Sequence, residues 1–97
     1  MKIVLSDEAI NWFKDEMDVE PGDHIQFFAR YGGNSPLHEG FTLGVRKEEP
    51  DEIDVVAEKD GAHYYIERRD VWFFAEHDLH VDVDHALNEL SFSYVKA

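Results

Sequence analysis

The apolar positions change period once near the start of the chain and then keep the second period almost to its end. Ala9, Ile10, Phe13 and Met17 recur at helical spacing, with Trp12 at the edge of their stripe. Ser6 supplies a capping hydroxyl, and Asp7 and Glu8 place carboxylates at the positive end of the helix dipole. These signals predict an amphipathic helix that packs on a flat surface and ends by Pro21-Gly22. From His24 onward the period is two. Ile25, Phe27, Ala29 and Tyr31 share one predicted strand face, Phe41, Leu43 and Val45 the next, and Ile53, Val55 and Ala57 a third.

Asp60-Gly61 is a strong two-residue hairpin signal, because both residues tolerate positive φ. After it Tyr64 and Ile66 fall on one face, with His63, Tyr65 and Glu67 opposite. The run Val71-Trp72-Phe73-Phe74 fits either a short helix capped by Asp70 or a buried strand. Leu79, Val81 and Val83 alternate with His80, Asp82 and Asp84, and Leu90, Phe92 and Tyr94 form the final alternating run. Six or seven short strands with one helix at the start, and a short second one, predict a mostly β, α+β fold. The helices do not alternate with the strands, which argues against a doubly wound parallel sheet. A β-sandwich or pseudo-barrel with the helix packed against it is the expected architecture. At 97 residues the chain is expected to form one domain spanning 1–97.

Charge narrows the partners. Nine basic residues against 22 acidic ones give a net charge of −13. Nucleic-acid binding depends on lysine and arginine neutralising phosphates, so that class is excluded, and anionic membrane surfaces are disfavoured for the same reason. A protein partner is expected, and a basic one would be attracted. The chain has no cysteine, which fits a reducing compartment. The start lacks the basic head and apolar run of a signal peptide, and no segment approaches the length of a membrane span. A cytoplasmic location is expected.

Two segments are candidate sites. Gly32, Gly33, Asn34 and Ser35, followed by Pro36, form a candidate binding loop, since adjacent glycines let backbone amides converge on a ligand. The same residues also suit a strand connection with unusual backbone angles. His77, His80, Asp82 and His85, with Asp84, form the densest set of nitrogen and oxygen ligands, of a kind that suits iron or zinc. Their spacing matches no metalloenzyme motif, and a solvated strand face in an acid-rich chain accounts for them without a metal. No nucleophile elbow or phosphate loop is present, so no enzymatic activity is expected. Trp12, Phe28, Tyr65 and one or two of residues 72–74 lie off the cleanest core faces. They mark either a contact surface or a sheet buried on both sides.

The stretch Arg30-Tyr31-Gly32-Gly33-Asn34-Ser35 resembles the Arg-x-x-Gly-Cys-Ser loop of the HesB/IscA family of A-type iron–sulfur carriers. Leu5-Ser6-Asp7-Glu8-Ala9-Ile10 is similar to that family's first helix entry, and Phe41, Leu43 and Val45 to the strand after the loop. Pro50-Asp51-Glu52-Ile53, Leu79-His80-Val81-Asp82 and Leu87-Asn88-Glu89 with Phe92 match later segments in order. The resemblance implies the family's β-sandwich and its tendency to form homo-oligomers. Asn34 stands where the family has its loop cysteine, and the cysteine pair of the tail has no counterpart, which argues against an iron–sulfur cluster. The implied role is an accessory of iron–sulfur cluster assembly acting by protein contacts or weak metal binding. The other expectation is an acidic protein-interaction module with no iron–sulfur role.

Overall fold

The computed structural model describes residues 1–97. It contains β1 (Ile3–Leu5), α1 (Asp7–Met17), β2 (His24–Asn34), β3 (Glu39–Lys47), β4 (Ile53–Lys59) and β5 (Ala62–Glu67). A 3₁₀ helix (Arg68–Phe74), β6 (His77–Asp84) and β7 (Glu89–Lys96) follow. The fold is mainly β with two helices, as the periodicity predicts. Two sheets form, one in the order β3-β2-β5-β4 and the other in the order β1-β6-β7.

Local signals act as expected at several points. The Ser6 hydroxyl accepts from the Ala9 N–H at 3.1 Å, capping α1. The helix stops at Asp18, which turns left-handed at φ 50, ahead of the Pro21-Gly22 turn. Asp60 and Gly61, at φ 51 and 82, connect β4 to β5 with Lys59 opposite Ala62. The strand β1 lies in the head before the helix, where the alternation is too short to read. It gains its place by parallel pairing with β6, Ile3 opposite Leu79 and Leu5 opposite Val81.

The core lies between the two sheets and is closed on one side by α1. Ile3, Leu5, Phe13, Ile25, Phe27, Tyr64, Ile66, Phe73, Phe74, Leu79 and Val81 meet there. Phe13 packs on Tyr64 at 5.0 Å between ring centres, and Phe27 meets Phe92 of the opposite sheet edge-to-face at 6.2 Å. Full burial of a side chain of this size contributes about 1.5–3 kcal/mol, so this cluster dominates folding.

The run around Trp72 is neither of the two predicted alternatives in full. It is a 3₁₀ helix that starts at Arg68, with Glu67 rather than Asp70 at its N-cap and no side-chain cap bond. Asp70 sits within the helix, and burial pushes its carboxyl above the ordinary value.

The larger sheet explains a second departure. Strands β2 and β5 run parallel, and each has an antiparallel neighbour, so β3 and β4 run in the same direction at opposite edges. The connection from Glu48 to Glu52 must therefore cross the outer face of β2 and β5. It does so as a strap. The Tyr65 hydroxyl donates to the Glu48 carbonyl, and the Glu67 carboxylate accepts from the Asp51 and Glu52 N–H groups. Tyr65, Gln26 and Glu67 are buried beneath it. Tyr65, expected among the exposed aromatics, is thus covered by backbone rather than by a second layer of side chains.

Candidate functional site

The candidate binding loop closes the β2–β3 hairpin. Gly32 and Gly33, at φ 117 and 65, take up a bulge between Tyr31 and Asn34 that a side-chain-bearing residue would resist. Asn34 Oδ1 accepts from the Gly40 N–H at 2.9 Å. The Ser35 hydroxyl accepts from the His38 N–H and lies within donating distance of the His38 carbonyl. Through these bonds Asn34 and Ser35 shape the turn.

The proposed metal ligands are held apart. His77 Nδ1 lies 2.9 Å from the carbonyls of Phe74 and Ala75, where it donates at the end of the 3₁₀ helix. Asp82 accepts from the Ser6 hydroxyl and the Val83 N–H, which hold its carboxyl below the ordinary range. His80 sits on β6 opposite Ser93, and His85 lies in the turn beyond Asp84. No group of three or more His, Asp or Glu side chains converges as metal ligands would.

What the tertiary structure does assemble is a ladder of aromatic rings at the hairpin tip. Tyr31 meets Phe41 edge-to-face at 5.6 Å, Phe41 meets Trp72 at 5.2 Å, and Trp72 meets His38 at 5.2 Å. His38 Nε2 lies 2.9 Å from the Phe73 carbonyl and fixes the ladder to the 3₁₀ helix. Tyr31 is 85% exposed and Trp72 48%. Tyr31 continues the core-facing alternation of Ile25, Phe27 and Ala29, so the sequence assigns it to the core. In the fold the hairpin projects past the second sheet, and nothing covers Tyr31.

Arg69 lies three residues before Trp72, one turn of the 3₁₀ helix and so on the same side of it, whereas Arg30, next to Tyr31, alternates to the opposite face of β2 with Thr42 across from it. Both are exposed, and neither joins an ion pair, unlike Arg46, Lys47 and Arg68. On its other side Trp72 lines a cleft of about 590 Å³ with Met1, Val71, Ala75 and Lys96. Exposed tryptophan, tyrosine and unpaired arginine are the residue types that dominate protein–protein binding energy. The site therefore has the composition of a protein-contact surface. The Gly32-Gly33 pair, which bulges the strand just after Tyr31, was the one sequence signal that this ring sits near a tip.

Comparison with known proteins gives the family. The chain is 45% identical over 94 residues to the pyruvate dehydrogenase inhibitor of Bacillus subtilis, a match that covers 97% of this chain and 99% of the relative. It is 40% identical over 96 residues to an uncharacterized protein of Staphylococcus saprophyticus, covering 96% and 98%. An uncharacterized protein of Staphylococcus aureus is 32% identical over the same length, with the same coverage. This chain belongs to the family that contains these proteins. No family model matches it.

These findings overturn the HesB/IscA resemblance and, with it, the iron–sulfur assembly role. The matched segments are local solutions that many folds share: a helix cap at Ser6, a glycine bulge ending in Asn34, and alternating strands. In this fold Asn34 ties the hairpin by accepting from the Gly40 N–H. Of the two expected roles, the protein-interaction module agrees better with the named relative.

Proposed function

We propose that this protein is a non-enzymatic regulator that binds an enzyme of the pyruvate dehydrogenase type and inhibits it by direct protein contact. The observation that carries the reading is the 45% identity to the Bacillus subtilis inhibitor along nearly the whole of both chains. The aromatic ladder with Arg69 is the contact surface in this reading, because its Trp, Tyr and Arg side chains combine exposure with a rigid backing of Phe41, His38 and Phe73. The loop Gly32–Ser35 supports that surface by fixing the hairpin tip. The reading takes residues 1–97 as one domain and includes a cytoplasmic location, in keeping with a chain in which no helix is long and apolar enough to cross a membrane.

The test is titration of purified protein into a pyruvate dehydrogenase assay, with binding followed in parallel by calorimetry. Activity is expected to fall to a plateau at a fixed stoichiometry. Full activity at saturating protein, with no heat of binding, refutes the proposal.

A further inference from the structure

The free edge of β3 is built to pair with itself. Which backbone groups it offers follows from two hydrogen bonds. The Glu48 N–H donates to the His24 carbonyl at 3.2 Å, and the His63 N–H donates to the Asp23 carbonyl at 2.9 Å. Even-numbered residues of β2 therefore turn toward β3, and odd-numbered ones toward β5. On β3 the even positions Thr42, Gly44 and Arg46 turn toward β2, opposite Arg30, Phe28 and Gln26. The N–H and C=O groups of Phe41, Leu43 and Val45 point outward from the sheet edge.

Natural edge strands are normally blunted by charge, proline or a bulge. Between Gly40 and Val45 this edge carries no charge and no proline, in a chain that is 32% charged. The irregularity of the hairpin lies on β2 and at Gly40, leaving Phe41–Lys47 regular.

We infer that β3 joins the β3 of a second copy in antiparallel register about Leu43, making one eight-stranded sheet. A two-fold axis perpendicular to the sheet keeps each side chain on its own face, and this register meets that condition with the outward groups facing each other. Leu43 then opposes Leu43, and Phe41 opposes Val45 twice, an aromatic–β-branched pairing that stabilises sheets. On the other face Thr42 opposes Gly44, which adds no side chain of its own and is overlain by the Phe28 ring. The register also carries Lys47 to the Glu39 end of the second copy, an opposite-charge match made at both ends. Lys47 Nζ holds the Asp18 carbonyl and Asp23, and an ammonium group has a third hydrogen to give.

The other free edges lack this fit. Strand β4 is bulged between Ile53 and Val55 and carries Asp54, Glu58 and Lys59. Strand β1 is three residues long. The Ala97 N–H donates to the Glu76 carbonyl, so the even positions of β7 face outward. Self-pairing about Phe92 then sets Glu89 against Val95 and Lys96 against Asn88, with no opposite charges matched.

Sedimentation velocity over a wide concentration range, with hydrogen exchange at its two ends, tests the pairing. The expected result is a dimer mass and concentration-dependent protection of the Phe41, Leu43 and Val45 amides. E39K, at an exposed position with no intramolecular partner, is expected to raise the dissociation constant about tenfold or more by placing like charges at both ends. The swap E39K/K47E is expected to restore pairing. Three results each overturn the inference: a monomer at every concentration, a dimer unmoved by E39K, or protection at Phe92 and Tyr94 instead.

Discussion

The Tyr65 hydroxyl donates to the Glu48 carbonyl oxygen at 2.7 Å, pinning the strap to the sheet that it crosses. This bond and the Glu67 carboxylate, which takes the Asp51 and Glu52 N–H groups at 2.7 and 2.6 Å, are what hold a β3–β4 crossover so short. Glu67→Gln is expected to destabilise the fold by about 1–3 kcal/mol, since its amide sets a donor against one of those N–H groups. Tyr65→Phe removes one neutral bond and is expected to cost about 1 kcal/mol. Urea denaturation of both variants checks the order.

Gly44 has no room for a side chain. The Phe28 ring lies across its Cα, with the Arg46 guanidinium 4.4 Å above the ring centre. Gly44→Ala drives a methyl group into that ring and is expected to destabilise by about 1–3 kcal/mol. The double variant Gly44→Ala/Phe28→Leu is expected to recover part of the loss, which thermal melts would show.

The ring ladder gives a prediction that separates function from folding. Tyr31→Ala is expected to leave the melting temperature nearly unchanged, because the side chain is 85% exposed and outside the core. Trp72→Ala is expected to cost stability only modestly. In the proposed inhibition assay both are expected to weaken binding by about 1–2 kcal/mol or more, roughly tenfold. Wild-type inhibition by both variants would move the contact surface elsewhere on the molecule.

Alkali reports on the core. Burial pushes the phenols of Tyr64, Tyr65 and Tyr94 up to about 12, whereas an unfolded tyrosine ionises near 10. The folded state therefore binds more protons than the unfolded state between those values. Stability from these groups is complete below pH 10 and is lost as the pH rises through about 12. Absorbance at the phenolate band, followed with circular dichroism, is expected to show these three rings ionising together with unfolding.

Acid acts through different residues. Asp23 is held below its ordinary value first by the Glu20 N–H, Asp60 first by Lys14, and Asp82 first by the Ser6 hydroxyl. Their contribution is present above the ordinary value of 3.8 and is lost as the pH falls through the depressed values. The Lys14–Asp60 pair is exposed on both sides, so added salt is expected to shrink the Asp60 shift in a carboxyl NMR titration and to leave that of Asp82 less affected.

The chain by itself determined whatever depends on neighbours a few residues apart. The switch from a 3.6 to a 2 period set the helix over Ala9, Phe13 and Met17 and the strands after it, and Asp60-Gly61 set its hairpin, because these arise from local backbone geometry and side-chain alternation. Only the tertiary structure decided which faces were covered. Tyr31 and Phe27 share one face of β2, yet one projects past the second sheet while the other lies in the core. Tyr65 alternates outward yet is buried, since a strap obliged by strand order passes over it. Even the family signal misled at Gly32–Ser35, where a turn's backbone requirements imitate a ligand loop. Burial, and hence the surface left for a partner, is a property of the packed whole: alternation says which side a residue faces, and only the position of every other element says whether that side is open.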